Sequence, residues 1–398
     1  MAITEAIDSG NAAANRTDAL AATRKPLIDA THLPSHIYTS QALYEREKET
    51  IFMKDWLAVA RLEELAAPGD FMTFHIMGEP IVVTRNRSGA ISAFYNICAH
   101  RGVEVVTGTG NAKQFKCPYH AWTYDLEGKL LGASYMDEVR DFDLDDCRMK
   151  SIKIDVWEGW VFVNFDPDAA PLSDFVADFA DHFGVFQQGR FRMTKKLTST
   201  LNCNWKLINE NFVDVYHLIT LHGDTLTDWP TPETYQYDTW KHGGYAAFYE
   251  NDMSTLEGLR EFGHAPWLDE WLKDKDVRLA AGAGFLSPNL TTFVRPYSIA
   301  DIIIWPVAVD QTLIHQYLTV PENYFDAADD VVERAEPIHK QLDDVLEEDR
   351  AMIESLQKVM HTKGFRPGRM STSEFLVHNY ISAYIERMFG DSPPMGEV

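Results

Sequence analysis

The sequence is poor in cysteine and has no long apolar run. Only four of its 398 residues are cysteine, namely Cys98, Cys117, Cys147 and Cys203. So few cysteines in a chain of this length exclude a disulfide scaffold and fit a reducing compartment. No apolar stretch approaches the roughly 20 residues of a membrane helix, and residues 1–15 lack the basic start and apolar centre of a signal peptide. These absences predict a cytoplasmic protein without a membrane partner.

Positive charge is also scarce. The chain has 36 Lys and Arg against 60 Asp and Glu, which gives a formal net charge of -24. So acidic a protein repels nucleic acid and anionic membranes, and neither is expected as a partner. The hydrophobic share of 45% is that of an ordinary globular protein, so the acidic excess mainly predicts solubility.

The pattern of apolar residues changes twice along the chain. Residues 1–52 begin with a stretch rich in Ala, Thr and Asp and end in a helix that Ser40 is placed to cap. Residues 53–166 carry short apolar runs broken by Gly, Pro and Asn, which predict a compact antiparallel β domain. Residues 167–398 alternate helical and strand-like patterns. We therefore predict an α+β fold: a small antiparallel β domain stands before a larger α+β domain, whose antiparallel sheet is flanked by helices and packs with the N-terminal arm.

Individual elements follow from the same periodicities. The expected strands are Ile81–Thr84, Phe94–Tyr95, Ile152–Val156, Trp160–Val163, Thr291–Val294, Ile302–Val307 and Leu313–Val320. The expected helices are Trp205–Leu221, Glu336–Met360 and Thr372–Met388. The second domain is long enough to enclose a pocket.

A first group of chemically active residues lies in the β domain. One loop supplies Cys98 and His100, and a second supplies Cys117 and His120. A Rieske [2Fe–2S] cluster takes two cysteines on one iron and two histidines on the other, which these two loops provide. Tetrahedral zinc is the alternative, although zinc fingers usually pair Cys with Cys and His with His. The other two cysteines have no such neighbours and are expected to be small buried residues.

A second group lies in the α+β domain. On one continuous helix Glu210, Asp214 and His217 would share a face, because spacings of three and four residues bring side chains together. His222 falls off that face unless the helix ends, and Gly223 allows it to end. Two histidines and a carboxylate on one face of an iron leave positions open for dioxygen. A core or surface role is the alternative for either histidine taken alone.

The carboxylate ligand is sought farther along the chain. After Glu336 the apolar residues mark one helix face at Ile338, Leu342, Val345, Met352, Leu356 and Val359. Asp349 occupies the missing place in that face. The other acids nearby are expected to be solvated, namely Asp343, Asp344, Glu347 and Glu348. A carboxylate in an apolar face costs several kcal/mol unless it is compensated. A metal ion would compensate it, and a cation such as Arg350 is the alternative.

Together these motifs resemble the large (alpha) subunit of the aromatic-ring-hydroxylating oxygenases, which are Rieske non-haem iron oxygenases. The likeness is carried by the runs Cys98-Ala-His-Arg-Gly102 and Cys117-Pro-Tyr-His-Ala-Trp122, by Asn204-Trp-Lys206, by Glu210-x3-Asp-x2-His-x4-His222 and by a distant Asp on a helix. It covers roughly Pro34 to Met388. One departure is Ala121, where the family usually has Gly, and this is expected to change loop packing but not ligation.

The resemblance implies a role for each motif. The two Cys-and-His loops would hold one [2Fe–2S] cluster, and His217, His222 and Asp349 would bind one mononuclear Fe(II). Asp214 would link the two centres across the interface between subunits of a homotrimer. Members that act on quaternary ammonium compounds tend to carry Glu at that bridge, so Asp214 favours aromatic or other neutral and anionic substrates.

The resemblance also implies an activity. A terminal oxygenase of this kind receives electrons from NADH or NADPH through a reductase or ferredoxin. It uses dioxygen to hydroxylate, dihydroxylate or oxidatively dealkylate a small organic substrate, here by preference an aromatic one. The carrier would dock at a basic patch that includes Arg101, Lys113 and Lys116, and a beta subunit is a further partner that stays open. The rival functions are a monooxygenase or demethylase of a quaternary ammonium compound, a Rieske electron carrier without oxygenase activity, and a zinc-stabilised binding module.

Overall fold

The computed structural model describes residues 20–226 and 235–390. Its strands are β1 (Leu57–Arg61), β2 (Asp70–Ile76), β3 (Glu79–Arg85), β4 (Ile91–Tyr95), β5 (Thr109–Asn111), β6 (Phe115–Lys116), β7 (Thr123–Tyr124), β8 (Leu130–Gly132), β9 (Ser151–Trp157), β10 (Trp160–Asn164), β11 (Phe191–Leu201), β12 (Gln236–Thr239), β13 (Tyr245–Glu250), β14 (Ala280–Leu286), β15 (Leu290–Val294), β16 (Ile299–Ala308) and β17 (Gln311–Pro321). Each predicted strand lies within one of these.

The helices vary widely in length. The α-helices are α1 (His36–Thr39), α2 (Gln41–Glu47), α3 (Leu172–Phe175), α4 (Ala177–Phe183), α5 (Trp205–Val213), α6 (Leu218–Leu221), α7 (Glu257–Arg260), α8 (Asp269–Leu272), α9 (Tyr324–Ala327), α10 (Val331–Arg334), α11 (Glu336–Met360) and α12 (Phe375–Phe389). The side chain of Ser40 caps α2, as predicted, by accepting from the Leu43 N–H at 3.4 Å. None of the helices in the described part of the chain is long and apolar enough to cross a membrane.

Three antiparallel sheets organise the chain. The first has the order β1-β10-β9-β4-β3-β2-β5, and a small sheet β6-β7-β8 lies with it in the first domain. The second large sheet has the order β11-β17-β16-β15-β14-β13-β12 and belongs to the second domain with α5 to α12. The predicted arrangement of a β domain before a larger α+β domain is confirmed. The boundaries at residues 52 and 166 stay a prediction.

A buried polar cluster ties the N-terminal helices to the second domain. The Lys206 ammonium lies 2.6 Å from a carboxylate oxygen of Glu47, and both side chains are fully buried. Trp205 and Tyr384 donate hydrogen bonds to the same carboxylate at 2.8 and 2.6 Å. A buried ion pair is tolerable only with such extra donors. These contacts hold α2, α5 and α12 together and so fix the helix that precedes His217 and His222.

The predicted continuous helix Trp205–Leu221 is wrong. The helix breaks at Asp214, which has extended backbone (φ -83°, ψ 118°), and a short helix begins again after His217. The Asp214 carboxylate accepts from the N–H groups of Tyr216 at 2.8 Å and His217 at 3.3 Å. Asp side chains compete with the helix for backbone donors in this way. Glu210, Asp214 and His217 therefore do not share one helix face.

The buried face of α11 also differs from the predicted one. Met352, Leu356 and Val359 are exposed. The buried members of α11 are Ile338, His339, Leu346, Asp349, Ile353, Gln357 and Met360. An apolar repeat of 3.5 residues drifts around a helix whose period is 3.6 residues. Polar residues occupy the true face because partners satisfy them; the Gln357 side-chain oxygen, for example, accepts from the Asn204 N–H at 2.9 Å. Asp349 is buried as predicted.

Candidate metal centres and substrate cavity

Two loops of the first domain share one hydrogen-bond pattern. The Cys98 N–H donates to the carbonyl five residues on at 2.8 Å, and the Cys98 carbonyl accepts from Gly102 at 2.9 Å. The Cys117 N–H likewise donates to the carbonyl five residues on at 2.8 Å, and its carbonyl accepts from Ala121 at 3.0 Å. Gly102 and Ala121 occupy equivalent positions with φ of 79° and 60°. Ala121 forms the same turn with a left-handed backbone conformation, which is less favourable for an L-residue by about 1–2 kcal/mol of free energy.

The loops place two kinds of donor atom on two sides of one site. Cys98 and Cys117 are buried, whereas His100 and His120 are exposed. The two imidazole Nδ1 atoms lie 3.1 Å apart, and the His100 ring stacks on Trp122 at 4.9 Å. Two thiols on the inner side and two facing imidazole nitrogens on the outer side fit the donor set of a Rieske cluster. The histidine side of such a cluster faces the surface.

Tyr124 supports the inner side. Its hydroxyl lies 3.3 Å from the Cys98 sulfur and accepts from the Ala99 N–H at 3.0 Å. Of the two remaining cysteines, Cys203 is buried as predicted. Cys147 is only half-buried, so that part of the prediction is wrong.

The second group of donors comes from two distant segments. His217 and His222 flank α6, and Asp349 projects from the middle of α11. The Asp349 Oδ1 atom lies 3.0 Å from Nε2 of His222 and 3.5 Å from Nε2 of His217. One donor atom from each residue falls within 4.8 Å of the others. The break at Asp214 is what allows both imidazoles to turn toward α11.

The Asp349 carboxylate is poorly satisfied without a metal ion. Its Oδ1 atom is buried and accepts no well-oriented hydrogen bond from any described residue, although two imidazole nitrogens lie close. Burial raises the pKa of Asp349, but interaction with His217 and His222 outweighs this effect and holds the pKa below its usual range. A buried anion that faces two imidazole nitrogens fits the two-histidine, one-carboxylate set of non-haem iron.

Each imidazole is held from behind by a second carboxylate. Asp214 lies 2.9 Å from Nδ1 of His217, and Glu348 lies 2.6 Å from Nδ1 of His222. Burial lowers the pKa of His217, yet the hydrogen bond to Asp214 and the attraction of the Asp349 carboxylate outweigh burial and raise the pKa to about 9. Carboxylates on the far nitrogen orient a metal-binding imidazole and raise its basicity. The arrangement leaves both Nε2 atoms for a metal.

Two expectations about α11 change here. Glu348 is half-buried against His222 and is not the solvated charge that was predicted; Thr225 also donates to it. Arg350, the alternative partner for Asp349, bonds instead to Glu347 at 3.0 Å and to the Thr200 carbonyl at 2.7 Å. The helical period places Glu348 beside the buried face, and only knowledge of the packed histidine could have indicated its role.

A large cavity opens beside these donors. It encloses about 1100 Å³ between the atoms, including its mouth, and Asp214, His217, His222 and Asp349 lie in its wall. Its aromatic members are Phe212, Tyr235, Tyr245, Tyr249 and Phe293. Its other polar members are Asn211, Arg295, Ser298, Gln316 and Gln341. Most of the remaining wall is aliphatic. The sequence did not indicate Arg295 or Gln316. Arg295 follows the end of a strand and Gln316 is a single polar residue within a strand, and neither position forms a recognisable motif.

Comparison with known families decides the class. Residues 55–143 match the Rieske [2Fe–2S] domain, and residues 188–390 match the ring hydroxylating alpha subunit (catalytic domain). The chain belongs to the Rieske ring-hydroxylating oxygenases. As a member it is a terminal oxygenase that uses a [2Fe–2S] cluster and a mononuclear iron. A simple electron carrier and a zinc-stabilised module are excluded, because neither has the catalytic domain.

Three similar proteins illustrate the range of this oxygenase family. The carnitine monooxygenase oxygenase subunit of Acinetobacter baumannii is 32% identical over 352 residues, which are 86% of this chain and 88% of that protein. The anthranilate 1,2-dioxygenase large subunit of Burkholderia cepacia is 36% identical over 213 residues, which are 50% of this chain and 49% of that protein. A solved quaternary ammonium Rieske monooxygenase, described for carnitine oxidation and inter-subunit electron transfer, has a TM-score of 0.75 at 26% identity and covers 91% of this chain and 95% of that chain.

Proposed function

We propose that this oxygenase binds its mononuclear iron through His217, His222 and Asp349 and oxidises a small organic substrate in the adjoining cavity. The observation that carries the proposal is the convergence of these three donors in the wall of a largely apolar cavity. The iron, when bound, supplies dioxygen activation, and the cluster in the Cys-and-His loops supplies electrons. The product is a hydroxylated or dihydroxylated compound, or a dealkylated one.

The protein's own residues have three tasks in this reaction. Asp214 and Glu348 hold the two imidazoles by their Nδ1 atoms, which keeps the Nε2 atoms directed at the metal. The aliphatic wall excludes water and strengthens electrostatic interactions inside the cavity. The aromatic residues give the substrate flat, rigid contacts.

We further propose that electrons cross between subunits of a homotrimer. His100 and His120 are exposed, and Tyr119, whose ring centre lies 3.9 Å from that of His120, is 55% exposed. Exposed apolar groups around a redox centre are typical of a contact surface. Asp214 remains partly accessible on the other centre and is the proposed bridge to a histidine of a neighbouring cluster. A similar oxygenase has been described for inter-subunit transfer.

The electron donor is proposed to be a cytoplasmic ferredoxin or reductase supplied by NADH or NADPH. Arg101, Lys113 and Lys116 are exposed near the cluster loops, as a docking patch for an acidic carrier requires. On so acidic a chain, a local basic patch would steer such a carrier toward the cluster.

Oxidative demethylation of a quaternary ammonium compound is the first candidate reaction. Relatives that match over most of this chain include a carnitine monooxygenase subunit. Tyrosine and phenylalanine rings in the cavity wall can contact a cationic headgroup by cation–π interaction. Hydroxylation of an aromatic acid is the second candidate, favoured by Asp214 at the bridge position and by the likeness to the anthranilate dioxygenase over half of the chain.

Substitution of Asp349 tests the proposal. Asp349→Ala is expected to lower the iron content from about three to about two per chain and to abolish oxygen uptake, because the cluster shares no ligand with this site. The visible cluster absorbance serves as the internal reference. Glu347→Ala, which removes an exposed acid of the same helix, is the control and should keep all the iron. Full iron content and turnover in Asp349→Ala would contradict the assigned iron site.

A further inference from the structure

Arg295 is a buried cation in the cavity wall. Arg295 lies directly after β15 and is only 6% exposed. One terminal nitrogen donates to the side-chain oxygen of Asn251 at 3.1 Å, and the other donates to the Val294 carbonyl at 3.2 Å. The guanidinium carbon lies 5.7 Å from the centre of the Tyr249 ring. The Nε–H has no hydrogen-bond partner among the described residues.

No described carboxylate balances this charge. Arg61, the other fully buried arginine in the described part of the chain, has a Glu63 oxygen 3.6 Å from its Nε. Arg295 has no Asp or Glu within ion-pair distance among the residues that the structure describes. It is also the only Lys or Arg among the described residues of the cavity wall. A buried cation is costly unless an anion balances it, and a negatively charged ligand in the cavity would supply that balance.

A second unpaired donor in the same wall supports the same conclusion. The side-chain nitrogen of Gln316 is buried and has no partner among the described residues. Gln316 pairs with Ile302, and Ile302 pairs with Thr291, four residues before Arg295. Gln316 and Arg295 are thus separated by two strand spacings across the sheet and by four residues along a strand. Their Cα atoms therefore lie roughly 15 Å apart. The wall therefore offers unused donors at two separate points, which suits a ligand rich in acceptor atoms.

We infer that Arg295 binds a carboxylate of the substrate. The guanidinium uses two of its five donors in the hydrogen bonds described, and the unused Nε–H belongs to the planar fork that matches a carboxylate. The substrates are then small organic acids, zwitterionic or aromatic, and bare hydrocarbons and simple cations are poor ligands. This inference rests on the proposed function, since it takes this cavity as the place where the substrate is oxidised.

Matched pairs of compounds test the inference on the unaltered holoenzyme. The pairs are γ-butyrobetaine and its methyl ester, glycine betaine and choline, and benzoate and benzamide. Calorimetric binding and oxygen uptake are measured for each compound. For at least one pair the carboxylate member is expected to bind roughly 100-fold more tightly, which is a typical effect of one buried charged hydrogen-bonded pair. Equal binding of both members in every pair, or binding of no carboxylate, would overturn the inference.

Two variants separate charge recognition from packing. Arg295→Met keeps the length of the stem and should remove the preference for the carboxylate, whereas Arg295→Lys should retain part of it. Arg192→Met removes an exposed arginine that lies outside the cavity wall and should leave the ratio within each pair unchanged. A ratio that survives Arg295→Met would also overturn the inference. If the protein holds its full iron content and takes up oxygen with neutral compounds, only the inference about Arg295 fails and the proposed function remains. If the mononuclear iron is absent, the proposed function fails as well.

Discussion

The two metal centres of this protein are built in opposite ways. The cluster loops close over a short stretch of chain through four local backbone hydrogen bonds, and they leave both imidazoles at the surface. The proposed mononuclear site joins residues from α11 to the segment around α6, and His222 and Asp349 are 1% and 2% exposed. A centre that exchanges electrons with partners needs an accessible edge, while a centre that handles dioxygen needs shelter from water. The difference in construction follows this difference in task.

Loss of a cluster thiolate should produce the largest effect on one centre alone. Cys117→Ser is expected to abolish the visible cluster spectrum, because a hydroxyl is a poor replacement for the thiolate that Fe–S clusters require. The mononuclear iron should remain, since the two sites share no residue, and this is measured as iron per chain. Cys147→Ser is the matched control, as Cys147 lies outside the ligand set, and it should keep the spectrum. A coloured, active Cys117→Ser protein would contradict the cluster assignment.

Loss of the carboxylate behind His222 should weaken the sheltered centre without destroying it. Glu348→Ala is expected to lower iron affinity roughly 10- to 100-fold, because the imidazole loses its orienting partner. Titration of the metal-depleted site with Fe(II), with the cluster absorbance as reference, gives the affinity. The neighbouring Glu347→Ala should change neither quantity. An unchanged iron affinity in Glu348→Ala would show that packing alone orients His222.

Relief of backbone strain should have the smallest effect, confined to the cluster loops. Ala121→Gly is expected to stabilise the protein by about 0.5–1 kcal/mol, since removal of the left-handed strain exceeds the entropy that glycine gains when unfolded. Ala112→Gly, at a residue without positive φ, should instead destabilise it by about 0.4–1 kcal/mol. Thermal unfolding of both variants measures the difference. A destabilised Ala121→Gly protein would mean that the methyl group packs favourably enough to outweigh the strain.

The same contrast explains what could be predicted from the sequence. The cluster loops are local, so the spacing of Cys98 and His100 and of Cys117 and His120 sufficed to name a ligand set that the loop geometry fits. Asp349 was singled out because a carboxylate in an apolar helix face needs a partner; its burial is confirmed, and its role as a ligand stays a prediction. The break at Asp214 was missed. Its carboxylate accepts hydrogen bonds from two backbone N–H groups, and the sequence alone does not distinguish such an Asp from one inside a continuous helix. Glu348 and Arg295 were missed because their roles depend on packing against distant segments.

Complementation between two defective chains tests most directly whether the exposed and the sheltered centre work as a pair across subunits. Cys117→Ser chains would lack the cluster, and Asp349→Ala chains would lack the mononuclear iron, so neither protein should take up oxygen alone. Differently tagged chains are co-expressed, and assemblies that carry both tags are isolated and assayed for oxygen uptake with a substrate and an electron donor. Partial recovery of activity is predicted, because some interfaces then join an intact cluster to an intact iron site through Asp214. No recovery in verified mixed assemblies would show that electrons stay within one chain and would contradict the bridging role of Asp214.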